Sequence, residues 1–308
     1  MHGRLKVRTT EEQQLIKRKE QQKKLLAYRL GMKQILESRQ PDTYDPNSLA
    51  ICSQLLIVNP DIYTLWNYRK EVVLLEISAD NSNDSSSEAL VNLLENELKL
   101  TEQCLLANPK SYGSWHHRYW ILENHPDRNW QNEFDLCSKY LTMDDRNFHC
   151  WDYRRLILNK IGVTLGDELK FSTNRININF SNYSSWHYRS TLQALTDDCV
   201  QDELSLVKSA LFTDPMDSSA WFYLRWLLSN SVVKHEHMKE FLANINQLLE
   251  LEPDCKWILV AKCWLLKLLG LDEINYKTEE MESYLKLQEI DPMRKGQYVD
   301  CLKVLQLY

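Results

Sequence analysis

Apolar residues recur along this chain with the period of helices. In LVNLLENELKLTEQCLLAN they fall at Leu90, Leu94, Leu98 and Leu105, with a polar gap at Thr101 and Glu102. In HMKEFLANINQLLELE they fall at Met238, Phe241, Leu242, Ile245, Leu248 and Leu249. This is the i, i+3, i+4, i+7 stripe of an amphipathic helix. Short polar turns separate such stretches. Pro109 and Pro215 stop the helices before them, because the residue preceding proline is pushed out of the α region. Ser111, Asn147, Asn182 and Asp217 stand where a side-chain oxygen can cap the helix that follows.

Each of these caps lies four residues ahead of a tryptophan. The segments NPDIYTLWNYRK (59–70), NPKSYGSWHHRY (108–119), DRNFHCWDYRRL (145–156), FSNYSSWHYRST (180–191) and DPMDSSAWFYLRW (214–226) are copies of one unit. A sixth, EPDCKWILVAKCW (252–264), is degenerate, and a seventh, DPMRKGQYVDCL (291–302), has lost the tryptophan. The anchors Trp66, Trp115, Trp151, Trp186, Trp221 and Trp257 are spaced 49, 36, 35, 35 and 36 residues apart. The long first interval contains the polar run SADNSNDSSSE (78–88), read as an inserted loop. Arg69, Arg118, Arg154 and Arg189 follow their tryptophans by three residues, and Arg225 is one step late. Trp and the residue at +3 share a helix face. The indole is expected to fill the space between helices while the guanidinium reaches carbonyls or a carboxylate.

One helical pair cannot bury its apolar face alone; stacked pairs can, and they curve into a superhelix. The expected fold is therefore all-α, built of stacked helical hairpins in a single helical-repeat domain over 1–308. An opening segment (1–58) precedes the Trp-anchored repeats (59–264) and closing helices (265–308). The first helix, EEQQLIKRKEQQKK, is so polar that it is expected to project from the body.

Composition narrows the function. Glycine (7) and proline (8) are scarce, and ten tryptophans argue against disorder. A net charge of −6 argues against a broad nucleic-acid surface, and the basic stretch Lys17–Lys24 alternates with Glu and Gln as a solvated helix face does. The eight cysteines (52, 104, 137, 150, 199, 255, 263, 301) lack CxxC spacing and read as core residues in a reducing compartment. No signal segment or 18-residue apolar run appears, so a cytoplasmic location is expected and the sequons at Asn83, Asn179 and Asn182 carry no weight. No HExxH motif or Gly-rich phosphate loop is present. His116, His117 and His187, just after their tryptophans, read as a polar helix face.

The combination of turn, tyrosine, tryptophan and arginine resembles the repeat of protein prenyltransferase alpha subunits over residues 45–300. Within that family, MHGRLKV, NPKSYGSWHHR, RNFHCWDYRR, NFSNYSSWHYRS and SAWFYLRWLL look most like the Rab-type (type II) geranylgeranyltransferase members. The resemblance implies a crescent-shaped, right-handed α-α superhelix that wraps a beta subunit in an obligate heterodimer. It implies transfer of geranylgeranyl from geranylgeranyl diphosphate to C-terminal cysteines of Rab GTPases presented by Rab escort protein. Zinc is implied in the beta subunit, with no cofactor bound by this chain alone. By the same resemblance, Lys110 approaches the diphosphate, with Tyr112 beside it and Asn147 and His149 as lesser candidates at the next turn. Trp66, Arg69, Trp115, Arg118, Trp151, Arg154, Trp186, Arg189 and Trp221 are assigned to repeat structure. His2, on the N-terminal arm, is a candidate for a regulatory approach to the partner's zinc. The immunoglobulin-like insertion and leucine-rich-repeat tail of larger animal members are not visible, since 226–252 run straight through. Two other readings stay open: the alpha subunit of farnesyltransferase or type I geranylgeranyltransferase, and a non-catalytic helical-repeat scaffold.

Overall fold

A computed structural model describes residues 10–39, 43–80, 88–192, 195–270 and 274–306. Among these the chain is helical, with no extended strand. The helices are α1 (Glu11–Ser38), α2 (Pro46–Val58), α3 (Tyr63–Asp80), α4 (Glu88–Ala107), α5 (Tyr112–Asn124), α6 (Trp130–Met143), α7 (Phe148–Leu158), α8 (Leu165–Ile178), α9 (Tyr183–Leu192), α10 (Asp197–Thr213), α11 (Ser218–Leu228), α12 (His235–Leu251), α13 (Lys256–Leu269), α14 (Ile274–Ile290) and α15 (Lys295–Gln306). The chain divides into two compact units, one formed by residues up to Cys137 with Asp152–Lys160, the other by Ser138–Trp151 with the residues from Ile161 onward.

Within the first unit, α3 packs on both α4 and α5 while α2 packs on α4, so the hairpins stack in two layers. Within the second, α9, α11 and α13 follow one another in one layer, and α10 packs on α12 in the other. The polar α1 buries only Gly31 and Ile35, as its composition requires. Of the run at 78–88, read as an inserted loop, residues 81–87 lie outside the described residues, and the rest is helical. α3 continues through Asp80 and α4 begins at Glu88, because Ser and Asp are tolerated on an exposed last turn of helix.

The capping positions are occupied as expected. Ser111 accepts from the Ser114 amide, Asn147 from Cys150, Asn182 from Ser184 and Asp217 from Ser219. Each anchoring indole then donates to the carbonyl six residues before it. Trp66 reaches Pro60, Trp115 reaches Pro109, Trp151 reaches Asp145, Trp186 reaches Phe180 and Trp221 reaches Pro215, all at 2.7–2.9 Å. The tryptophan is thus filler and staple at once: the ring is buried and its N–H is satisfied. The sixth anchor is displaced. α13 begins at Lys256, so Leu259, buried, takes the place expected of Trp257, which is only partly buried two residues earlier.

Between hairpins the repeat carries a second device that the apolar pattern conceals. Arg118 donates to both oxygens of Glu133 at 2.6 Å, to the Leu98 carbonyl and to the Thr101 hydroxyl. Arg69 does the same to Glu97, Leu49 and Ser53, and Arg189 to Glu203, Leu169, Ser172 and Thr173. Arg154 lies over the Phe134 ring at 3.7 Å and donates to the Phe134 carbonyl. A tyrosine from the following Trp helix closes each clamp on the remaining lone pairs: Tyr153 on Glu133, Tyr188 on Glu168, Tyr223 on Glu203. The carboxylate and the closing residue are always 20 apart. The same tyrosines pack against the preceding tryptophan, with ring centroids 4.9 Å apart for Trp115–Tyr153, 4.7 Å for Trp151–Tyr188 and 5.0 Å for Trp186–Tyr223.

The first clamp closes with histidine. His117 is fully buried, which corrects its reading as part of a polar face; only His116 and His187 are exposed. Its Nε2 donates to Glu97 at 2.9 Å and its ring lies 4.6 Å from Trp66. Burial alone would raise the Glu97 carboxyl, but His117 and Arg69 outweigh it and hold it below its usual range. The cysteines sit where small core residues are needed: six of the eight are buried, and all are free thiols. Burial pushes Cys52 up to about 11 and Cys104 and Cys263 up to about 12.

Two outcomes follow. Replacing Arg189 with Met strands the buried Glu203 carboxylate and is expected to cost about 3–5 kcal/mol, while Tyr223→Phe costs only about 1–2 kcal/mol; urea unfolding of both variants checks the ratio. His117 supplies a pH dependence. Its Nδ1 has no hydrogen-bond partner, and burial, only partly offset by Glu97, lowers its pKa below the ordinary 6.5. The folded state therefore resists a proton that the unfolded chain accepts. The stability of the neutral ring is present above pH 6.5 and falls as the pH drops below it, by up to about 1.4 kcal/mol per pH unit. His117→Tyr, which restores the sibling clamp, should flatten this part of the stability–pH curve relative to wild type. An unchanged difference between the two proteins from pH 7 to 5 would contradict this.

Candidate functional site

The turn between α4 and α5 carries Lys110, and its backbone is pinned from several sides. The Asn108 amide bonds back to the Cys104 carbonyl at 2.8 Å, and the Asn108 side chain donates to Asp61 at 3.2 Å. The same side chain accepts from the Lys110 amide at 3.2 Å. Ser111, wholly buried, caps α5 and donates its hydroxyl to the Pro60 carbonyl at 3.1 Å. That carbonyl also receives the Trp66 indole, so the turn is seated on the preceding hairpin.

Gly113 makes this seat possible. A Cβ there would stand 2.6 Å from Trp66 Nε1 and 2.9 Å from the Pro60 carbonyl, far inside van der Waals contact. The corresponding positions of the other copies are Thr64, His149, Ser184 and Ser219. Glycine is thus peculiar to the turn with Lys110, a signal visible in the aligned repeats though not drawn from them above.

Lys110 and Tyr112 emerge on the exposed side of this rigid turn, with Tyr112 61% exposed. The lysine immediately precedes the cap of α5, where the helix dipole favours an anion and the ammonium adds a full charge. The matching positions elsewhere are Asp61, Arg146, Ser181 and Met216. Of the two basic residues, Arg146 directs its guanidinium to the Ser181 carbonyl at 3.2 Å. Chemically, the Lys110 turn can hold and stabilise negative charge; it offers no nucleophile.

The lesser candidates lie in the second unit. Asn147 is buried and caps α7. His149 is buried as well, its ring 3.9 Å from that of Phe148. His2 lies outside the described residues. Among the described residues no group of three or more His, Cys, Asp or Glu side chains is arranged to hold a metal ion, and no helix is long and apolar enough to cross a membrane.

Comparison with known proteins bears on the repeat and the fold. The model of the protein prenyltransferase alpha subunit repeat matches residues 45–75, 94–125, 130–161, 165–194 and 200–231. Geranylgeranyl transferase type-2 subunit alpha of Bos taurus is 46% identical over 245 residues, covering 75% of this chain and 42% of that protein; the Homo sapiens protein gives 46% over 244 residues with the same coverage. The chain thus spans less than half the length of these mammalian relatives. The protein of the same name from Dictyostelium discoideum is 38% identical over 313 residues, covering 97% of this chain and 98% of that one. Among solved structures, Candida albicans protein geranylgeranyltransferase-I complexed with GGPP superposes with a TM-score of 0.68 over 89% of each chain at 24% identity, a likeness of fold. With five repeat matches and a relative aligned over nearly its whole length, this chain belongs to the protein prenyltransferase alpha subunit family.

Proposed function

We propose that this chain is the alpha subunit of a type II protein geranylgeranyltransferase. In this reading it pairs with a zinc-bearing beta subunit and is inactive alone. The heterodimer moves geranylgeranyl from geranylgeranyl diphosphate to C-terminal cysteines of Rab GTPases presented by Rab escort protein, in the cytoplasm. The observation that carries the reading is the near full-length correspondence with the Dictyostelium type-2 alpha subunit, joined to a repeat array that presents Lys110 on the turn before α5.

The chemistry divides accordingly. Zinc on the companion subunit would supply an activated thiolate. The thiolate forms a C–S bond to C1 of the prenyl chain as the C1–O bond breaks and diphosphate departs with the electron pair. Charge builds on the leaving oxygens, and a fixed ammonium there stabilises the transition state more than the ground state. Lys110 supplies that charge, Tyr112 flanks it, and Asn147 and His149 are assigned a lesser part in holding the diphosphate. His2 is assigned a regulatory approach to the companion's zinc.

The decisive experiment co-expresses the chain with a type II beta subunit and assays a Rab with escort protein against a CaaX peptide. Activity on the Rab, and none from either subunit alone, is expected; preference for the CaaX peptide would assign the chain to the shared alpha subunit of farnesyltransferase and the type I enzyme. Lys110→Ala in the heterodimer should lower kcat/KM by roughly 10- to 100-fold, with the melting temperature unchanged because the side chain is exposed. An unaltered kcat/KM would remove Lys110 from the diphosphate.

A further inference from the structure

A second basic site lies in the first unit, separate from Lys110. Lys70 Nζ, from α3, approaches His116 Nδ1, from α5, at 3.3 Å, and sits 5.1 Å from the centre of the Trp120 ring. Among the described residues no carboxylate pairs with either group. Glu97 on α4 is taken by Arg69 and His117, and Glu71, next to Lys70 in the chain, by Arg39. In this contact the Lys70 ammonium donates and the neutral His116 ring accepts; a second proton on that ring would stand against the ammonium with no counter-ion to offset it. Burial lowers the Lys70 pKa, and burial with Lys70 lowers that of His116. The charged group facing His116 from α3 is Lys70; Arg69 on α3 and Glu97 on α4 engage each other and the buried His117.

The surroundings are those of a covered surface. On α3, Tyr63, Asn67, Lys70 and Leu74 fall at i, i+4, i+7 and i+11, one stripe of the helix. Tyr63 is 63% and Leu74 49% exposed, so apolar side chains stand at both ends of the lysine's stripe. On α5, Tyr112 and His116 are one turn apart and both exposed. Exposed aromatic and aliphatic residues grouped around one charge are characteristic of protein interfaces. The pair carries about one positive charge near neutral pH, which suits a single carboxylate and is small beside the charge of a diphosphate.

We propose that Lys70 and His116 form a receptor for one Asp or Glu side chain of the companion subunit, which docks on the exposed stripes of α3 and α5. The proposal rests on the reading that such a subunit exists. An incoming carboxylate accepts from the Lys70 ammonium and offsets the repulsion that a protonated His116 would meet beside it, drawing a proton onto the ring, so assembly takes up a proton and tightens as the pH falls from 7.5 toward 6.

The test is calorimetric titration of the full chain with the purified type II beta subunit, at pH 6.0 and 7.5, in buffers of differing ionisation enthalpy. Wild type should show proton uptake. Lys70→Met, which keeps the stem over Trp120, should weaken assembly roughly 5- to 20-fold, and Lys70→Arg should restore it. His116→Gln should abolish the proton uptake. Assembly that is equally tight and equally pH-dependent in Lys70→Met and His116→Gln overturns the receptor while leaving the proposed function intact. Failure of the wild-type chain to bind the beta subunit overturns both. Inorganic diphosphate titrated into the free chain serves as the counter-probe: a saturable shift of the His116 ring resonance, lost in Lys70→Met, would show that the pair takes phosphate and would overturn the carboxylate assignment.

Discussion

A carboxylate buried between helices must be answered completely or it destabilises the fold. In this chain that demand organises the stack. Glu97, Glu133 and Glu203 each receive an arginine fork from one Trp helix and a ring donor from the next. The arginine in turn needs acceptors of its own, and it finds them in carbonyls and hydroxyls of the helix before it. Each clamp therefore ties four helices, and removing the arginine or the glutamate leaves the other with an unmet charge. The tryptophans supply the apolar contact that keeps water out; the clamps supply register.

Lys110 depends on this arrangement indirectly. Its turn rests on Trp66 and the Pro60 carbonyl, Trp66 rests on His117, and His117 closes the clamp on Glu97. The exposed turn is thus seated by a chain of buried contacts that reaches back to Glu97. A charge-stabilising site of the kind proposed for Lys110 requires such a preorganised backbone.

Much of this was legible in the amino-acid order. Period, caps, tryptophans and arginines specify helical hairpins, and the caps fall where they were expected. What the apolar pattern hid were the polar residues inside the core. Glu97 and Thr101 look like interruptions in the stripe of α4, yet both are buried, since hydrophobicity alone cannot distinguish a solvated glutamate from one met by an arginine. His117 was misread for the same reason: one helix position separates it from the exposed His116. Trp257 misled in the opposite direction, because the spacing pointed to a tryptophan where the cap at Cys255 sets the helix start and Leu259 does the packing. The site was legible only in part. Lys110 stands out by its charge, whereas the glycine beneath it and the Lys70–His116 pair depend on contacts between hairpins, which a single repeat does not contain.

The clamp spacing also bears on how a chain of this kind can change length. From carboxylate to closing ring the separation is invariably 20 residues, whereas from arginine to carboxylate it is 28, 15 and 14. One of the two connections in each hairpin period is consequently a ruler and the other is slack. Segments are gained or lost in the slack connection without disturbing a single buried charge, and the polar run after α3 lies in such a place. A deletion of one residue in the ruler would rotate a tyrosine away from its glutamate. The repeat thus has one site per period at which evolution, or a protein engineer, can insert sequence at little cost to the core.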